Sequence, residues 1–194
     1  MGKMNLESLK QKNVALLLID LQQGWDNEEF WGGNRNNPQA EEVCSSLLEY
    51  WRLHELPIFH VRHSSLEENS RLNPNHPGFA WLEVTKPLEH EYSTEKHVNS
   101  AFIGTDLKEQ LDKKGITTLV IVGLTTNHCV STTTRMAGNF GYETYLVEDG
   151  TATFDRKGLN GETFPAQLIH DTALASLNEE FTTVIKSADI LEAV

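Results

Sequence analysis

Six consecutive apolar residues, Val14-Ala15-Leu16-Leu17-Leu18-Ile19, constrain this chain more than any other feature. A strand with one wet face alternates apolar and polar positions. A run without a polar position needs cover on both faces, as at the centre of a parallel sheet. The run is too short to span a bilayer, and it stops at Asp20. A second run, Leu119-Val120-Ile121-Val122, ends at Gly123 and passes through Leu124-Thr125-Thr126-Asn127-His128 into Cys129. Cys129 is expected to open a helix reaching about Asn139. A thiol there sits at a helix start just beyond a strand end, where unpaired N–H groups favour thiolate over thiol and where open α/β sheets place their ligands.

The remaining pattern alternates strands with helices. A helix is expected from Asn37-Pro38, with asparagine as cap and proline in the first turn. Val43, Leu47, Leu48 and Trp51 form its apolar stripe. Pro57 to Val61 reads as a short strand, followed by a long polar segment from Arg62 to Glu95 and a further short strand over Glu95 to Val98. Gly104 to Lys114 reads as a helix stopped by Gly115. Beyond the Cys129 helix, closed by Gly141, come a strand over Glu143–Val147, a loop over Asp149–Glu162, a helix over Pro165–Leu177 and a last strand over Phe181–Ile185. This order predicts a three-layer α/β fold, Rossmann-like, with a parallel sheet flanked by helices. No repeat or linker divides the chain, and its 194 residues suit one domain over 1–194.

The net charge of −12 argues against nucleic acid or an anionic membrane as a partner. No early stretch combines a basic flank, an apolar core and a small-residue cleavage site, so no secretory signal is expected. Two cysteines make no disulfide framework, which fits a cytoplasmic setting. Cys44, inside an apolar helical pattern, reads as a small core residue.

Asp20, Lys96 and Cys129 all stand where strands end, and parallel strands deliver such residues to one edge. A carboxylate, an ammonium and a thiol together suit nucleophilic catalysis, with the aspartate as base and the lysine holding the charges. Backbone N–H groups at the turn before Cys129 suit an oxyanion hole.

Asp20-Leu21-Gln22, Lys96-His97-Val98-Asn99-Ser100-Ala101-Phe102 and Gly123 to Val130 resemble, in order and spacing, the three signature segments of the isochorismatase-like cysteine hydrolases. That group includes nicotinamidases, N-carbamoylsarcosine amidohydrolases, ureidoacrylate hydrolases and streptothricin hydrolases. The resemblance implies a six-stranded parallel sheet and an Asp20–Lys96–Cys129 triad. It also implies an oxyanion hole from the N–H groups of Thr125 and Cys129, and a cis Leu124–Thr125 peptide bond. Nicotinamidases carry an Asp-x-His pair and further histidines that bind a metal after the second strand. Here the segment reads Val61-Arg62-His63-Ser64-Ser65, so no metal and no cofactor is expected, and His60, His63 and His76 read as ordinary loop histidines. Keeping the cysteine favours attack on a carbonyl carbon, hence C–N hydrolysis of a small amide, lactam or carbamoyl compound through a thioester. The alternatives are an isochorismatase-type vinyl ether hydrolase and a non-hydrolytic thiol redox or binding protein on the same fold.

Pocket candidates follow from position. Trp25, Phe30 and Trp31 follow Asp20, Phe79 and Trp81 lie in the long polar segment, and Phe154 follows the fifth strand. Gln22, His63, Asn99 and His128 could bind polar substrate groups. Relatives of this kind form dimers or tetramers, so a homodimer or homotetramer is expected.

Overall fold

The computed structural model describes residues 6–191; the outermost residues of the expected 1–194 domain lie outside it. Six strands form one parallel sheet: β1 (Ala15–Ile19), β2 (Ile58–His63), β3 (Tyr92–Lys96), β4 (Thr118–Leu124), β5 (Glu143–Ala152) and, after a two-stranded hairpin of β6 (Arg156–Lys157) and β7 (Thr163–Phe164), β8 (Thr183–Ile185). The order across the sheet is β3-β2-β1-β4-β5-β8. β1 and β4 pair at its centre, Leu17 beside Ile121 and Ile19 beside Gly123. Among the described residues the α-helices are α1 (Leu6–Gln11), α2 (Glu28–Trp31), α3 (Ala40–Leu53), α4 (Leu107–Lys113), α5 (Ser131–Asn139), α6 (Ala166–Leu177) and α7 (Ala188–Leu191).

The apolar runs work as their pattern requires. Leu16 and Leu18 of β1 pack with Val120 and Val122 of β4 against Cys44, Leu47, Leu48 and Trp51 of α3. Ala15, Leu17 and Ile19 point the other way, joining Leu119 and Ile121 against Leu107 and Leu111 of α4, Ala137 of α5 and Leu174 and Leu177 of α6. The sheet is therefore the middle of three layers, with a core on each face.

Several boundaries differ from the sequence reading. Asn37 does not cap α3; its amide donates to the carbonyls of Glu148 and Thr151, tying the helix entry to β5. The third strand lies at Tyr92–Lys96 rather than Glu95–Val98, because backbone pairing to β2 selects it while its side chains remain polar. β5 runs on through Glu148-Asp149-Gly150-Thr151 to Ala152, where a loop was expected. A register shift opposite Ile121 and Gly123 lets it rejoin β4, and the expected loop's later part forms the hairpin. The long segment after β2 holds two short 3₁₀ turns, Pro77–Phe79 and Glu83–Thr85. It lies backbone against backbone on the loop after β1: a Cβ added at Gly78 would stand 2.6 Å from Gly24 Cα, and one at Gly24 would stand 2.8 Å from the Arg71 carbonyl. No helix among the described residues is long and apolar enough to cross a membrane.

Candidate active site

The carboxyl ends of β1, β3 and β4 bring Asp20, Lys96 and Cys129 together. Asp20 leaves β1 with φ +54°, a left-handed conformation that Asp and Asn tolerate better than most residues. Lys96 is the last residue of β3. Its ammonium donates to Asp20 Oδ2 at 2.7 Å and to His63 Nδ1 at 3.0 Å. The side chains of Lys96 and Asp20 are both fully buried. Asp20 Oδ1 is buried without a hydrogen-bond partner. One donor atom each of Asp20, His63 and Cys129 lie within 4.8 Å of one another, and Cys129 Sγ stands 3.9 Å from Asn99 Oδ1.

Cys129 sits in a π-helical turn, Thr126–Val130, ahead of α5; such turns gather at functional positions. The Leu124–Thr125 peptide bond entering the turn is cis. Gly123 has φ +124°, and a Cβ there would meet the Ile19 carbonyl at 2.0 Å, so only glycine lets β4 pass this close to β1. The turn is buttressed by Thr153 Oγ1, which donates to Asn127 Oδ1, and by the 2.9 Å contact of Thr126 Oγ1 with His170 Nδ1.

The electrostatics correct one sequence expectation. Cys129 is not a resting thiolate. Burial pushes its pKa well above the usual thiol value, the Asp20 charge pushes the same way, and Lys96 offsets only part. The partial charge of a helix end is weaker than this desolvation. Burial alone would lower Lys96, but Asp20 and Cys129 reverse the sign and hold its pKa above the usual value. His63 is lowered by burial and then by Lys96, which keeps it neutral near pH 7.

A cavity of about 140 Å³ opens onto the thiol, lined by Trp25, Trp31, His63, Ser70, Leu72, Asn99, Thr125, His128, Cys129 and Arg156. Larger hollows, about 790 Å³ beside α4 and about 670 Å³ at the amino ends of β2 and β3, are lined by none of Asp20, Lys96 and Cys129. Of the expected pocket residues, Trp25, Trp31, His63, Asn99 and His128 face the cavity. Trp25 Nε1 donates to the Asp20 carbonyl and Trp31 Nε1 to that of Gly24, fixing both rings as a wall. Phe154 is fully buried behind them. Phe30 is half exposed, edge-on to Trp31. Phe79 and Trp81 instead stack on the Arg62 guanidinium at 4.0 and 5.2 Å. Gln22 is buried and clamps loops, donating to the carbonyls of His63 and Phe79 and accepting from the His63 N–H. Ser70, Leu72 and Arg156 were missed. They lie in aperiodic segments, and the unpaired charge of Arg156 shows only in three dimensions.

Asp20, His63 and Cys129 also form a possible metal-ligand group. The Lys96 ammonium, however, donates to Asp20 Oδ2 and His63 Nδ1, so a cation already stands beside two of the three residues. His60 contacts Glu91 at 2.9 Å and His76 accepts from Gly78 N–H; neither joins the site. A nicotinamidase-type metal does not fit these residues.

The isochorismatase domain model matches residues 14–189. The chain belongs to the isochorismatase family. Proteins of this family are hydrolases. Among its relatives, the uncharacterized isochorismatase family protein YrdC of Bacillus subtilis is 42% identical over 181 residues, covering 93% of this chain and 96% of its own. An isochorismatase-family crystal structure from Chromobacterium violaceum superposes with a TM-score of 0.86 at 44% identity, covering 90% of each chain. Nicotinamidase 3 of Arabidopsis thaliana is 28% identical over 162 residues, 75% of this chain and 76% of its own. The isochorismatase fold therefore carries this hydrolase's cavity at the expected sheet edge.

Proposed function

We propose that the protein is a cysteine hydrolase of non-peptide C–N bonds in small molecules, with Asp20, Lys96 and Cys129 as its triad. The observation that carries this is the division of labour on Asp20: Oδ2 is locked by Lys96, while buried Oδ1 is left without a partner near the thiol. A resting thiol needs a base when it attacks, and the free Oδ1 supports that role for Asp20.

Asp20 takes the Cys129 proton as sulfur attacks the carbonyl carbon. The oxyanion is received by the N–H groups of Thr125 and Cys129. Asp20 passes the proton to the departing nitrogen, the C–N bond breaks, and a thioester remains. Water then loses a proton to Asp20 as its oxygen attacks the thioester, and that proton returns to sulfur as the acid leaves. Lys96 keeps the buried charge balanced in every state. The nicotinamidase relative acts on an amide, in line with this reading, although the metal residues of that activity are missing here. The buried thiol with its raised pKa argues against a redox sensor, which needs an accessible low-pKa cysteine.

The test is release of ammonia or amine from a panel of small amides, ureides and lactams by the native protein and by Cys129→Ser, with isochorismate alongside. C129S should fold normally and lose turnover. Full activity in C129S, or cleavage of the vinyl ether alone, overturns the proposal. We also propose a homodimer or homotetramer, as the resemblance implies; a monomer mass by light scattering refutes it.

A further inference from the structure

Arg156 faces the cavity with a charge that the described residues leave unbalanced. Arg35, Arg52, Arg62 and Arg71 each pair with a carboxylate, on Glu41, Glu91, Glu95 and Asp26 in turn, and Arg135, away from the cavity, lies over the Phe181 ring and donates to Ser131 Oγ. Arg156 has no carboxylate partner among the described residues. Its Nη2 lies 3.1 Å from His128 Nδ1, and its Nε is buried with no hydrogen-bond partner. Guanidinium remains charged at any working pH. A half-buried cation left unpaired is costly, and this one persists in a chain of net charge −12, where carboxylates are plentiful.

Nor is the side chain carried on a slack loop. Asp155, directly before it, accepts from Ala166 N–H at the start of α6 and from the Asn34 amide, while its own N–H donates to the Asn34 carbonyl. Gly32, with φ +129°, lies so close that a Cβ there would meet the Asp155 carbonyl at 2.3 Å. Arg156 then starts the β6–β7 hairpin. Because Arg156 donates to His128 Nδ1, the ring proton of His128 sits on Nε2, giving a second donor on the same wall. His128 stays neutral, its pKa lowered by burial and then by Arg156.

We propose that the substrate is a compact anionic amide whose carboxylate, or equivalent oxyanion, is bound by Arg156 with help from His128 while its scissile carbonyl lies at Cys129. This rests on the hydrolase reading above and narrows it: Arg156 sets specificity for charge, and Trp25 and Trp31 enclose the short apolar body between the two ends. A cavity of about 140 Å³ is well below the ~300 Å³ at which pockets for drug-sized ligands begin, so the two ends of the substrate are close together.

Iodoacetate and iodoacetamide test this without hydrolysis, because they deliver the same electrophilic carbon and differ in charge. In both, sulfur displaces iodide, and the modified cysteine is assigned by peptide mass mapping; Cys44 is fully buried. Relative to a free small thiol, native Cys129 should favour iodoacetate by about ten- to a hundredfold, the size of one charge-assisted hydrogen bond, and its rate should saturate. Arg156→Gln should return the ratio to that of the free thiol, and Arg156→Lys should keep part of it. Should R156Q not fold, acetate should shield native Cys129 from iodoacetamide where acetamide does not. A native ratio equal to that of the free thiol, a preference surviving in R156Q, or equal shielding by acetate and acetamide overturns the proposal. If the charge preference holds but no amide is hydrolysed, the hydrolase reading fails and the anion site stands.

Discussion

Replacing Lys96 by Met tests the electrostatic design of the site most directly. Both members of the Asp20–Lys96 pair have fully buried side chains, and Asp20 Oδ1 already lacks a partner. Losing the ammonium strands a carboxylate in a dry environment. Breaking one side of a buried pair costs about 3–5 kcal/mol, against about 0–1 for a surface pair. For a chain of this size that corresponds to a fall in Tm of roughly 6–20 °C. Urea unfolding at pH 7 measures the loss directly through the midpoint, provided the slope m is unchanged. The double variant Asp20→Asn/Lys96→Met removes both charges, and Asn accepts the φ of +54° at position 20, so most of the stability should return although turnover is gone. A K96M loss below about 1 kcal/mol, or a double variant as unstable as the two single losses added, would refute the claim that this pair is dry and mutually dependent.

Four shorter predictions follow from the same geometry. Because burial and Asp20 raise the Cys129 pKa, its alkylation rate by iodoacetamide should climb steadily from about pH 7 to about pH 10; a plateau near neutrality would show a resting thiolate. By linkage the same shift stabilises the fold below the ordinary thiol pKa of about 8.5, and that contribution fades as pH rises, which urea midpoints at two alkaline pH values can follow. Gly123→Ala, which would set a Cβ 2.0 Å from the Ile19 carbonyl, should destabilise by more than about 3 kcal/mol, and an unchanged Tm would contradict it. Chelator treatment should leave turnover intact, since the Lys96 ammonium already holds Asp20 Oδ2 and His63 Nδ1; a large loss restored by added metal would overturn that expectation.

How legible the molecule was depends on what each residue must satisfy. β1 and β4 were readable because cover on both faces excludes polar side chains. The second half of β5 was not: Thr151 rejoins the ladder opposite Gly123, while Glu148 and Asp149 are held by Asn37 and Ser187, which leave no periodic trace. β3 was displaced for the same reason, being a polar edge strand chosen by backbone pairing. Asp20, Lys96 and Cys129 could be anticipated because strand ends in a parallel sheet share one edge. Which loop aromatics face the cavity could not, since residue type and position do not set the direction a ring takes: Trp31 lines the cavity and Phe154 is fully buried. The resting charge of Cys129 was misread because desolvation depends on three-dimensional burial.

The contact between Gly24 and Gly78 has an evolutionary corollary. With the main chains touching, neither segment has room for even one methyl group, so a longer or bulkier version of one would collide with the other. Trp25 and Trp31 ride on the first segment and Ser70 and Leu72 belong to the second, so new cavity shapes are reached by exchanging both as a single cassette. Chimeras that graft one segment alone would lose the aromatic wall before they gained a new specificity.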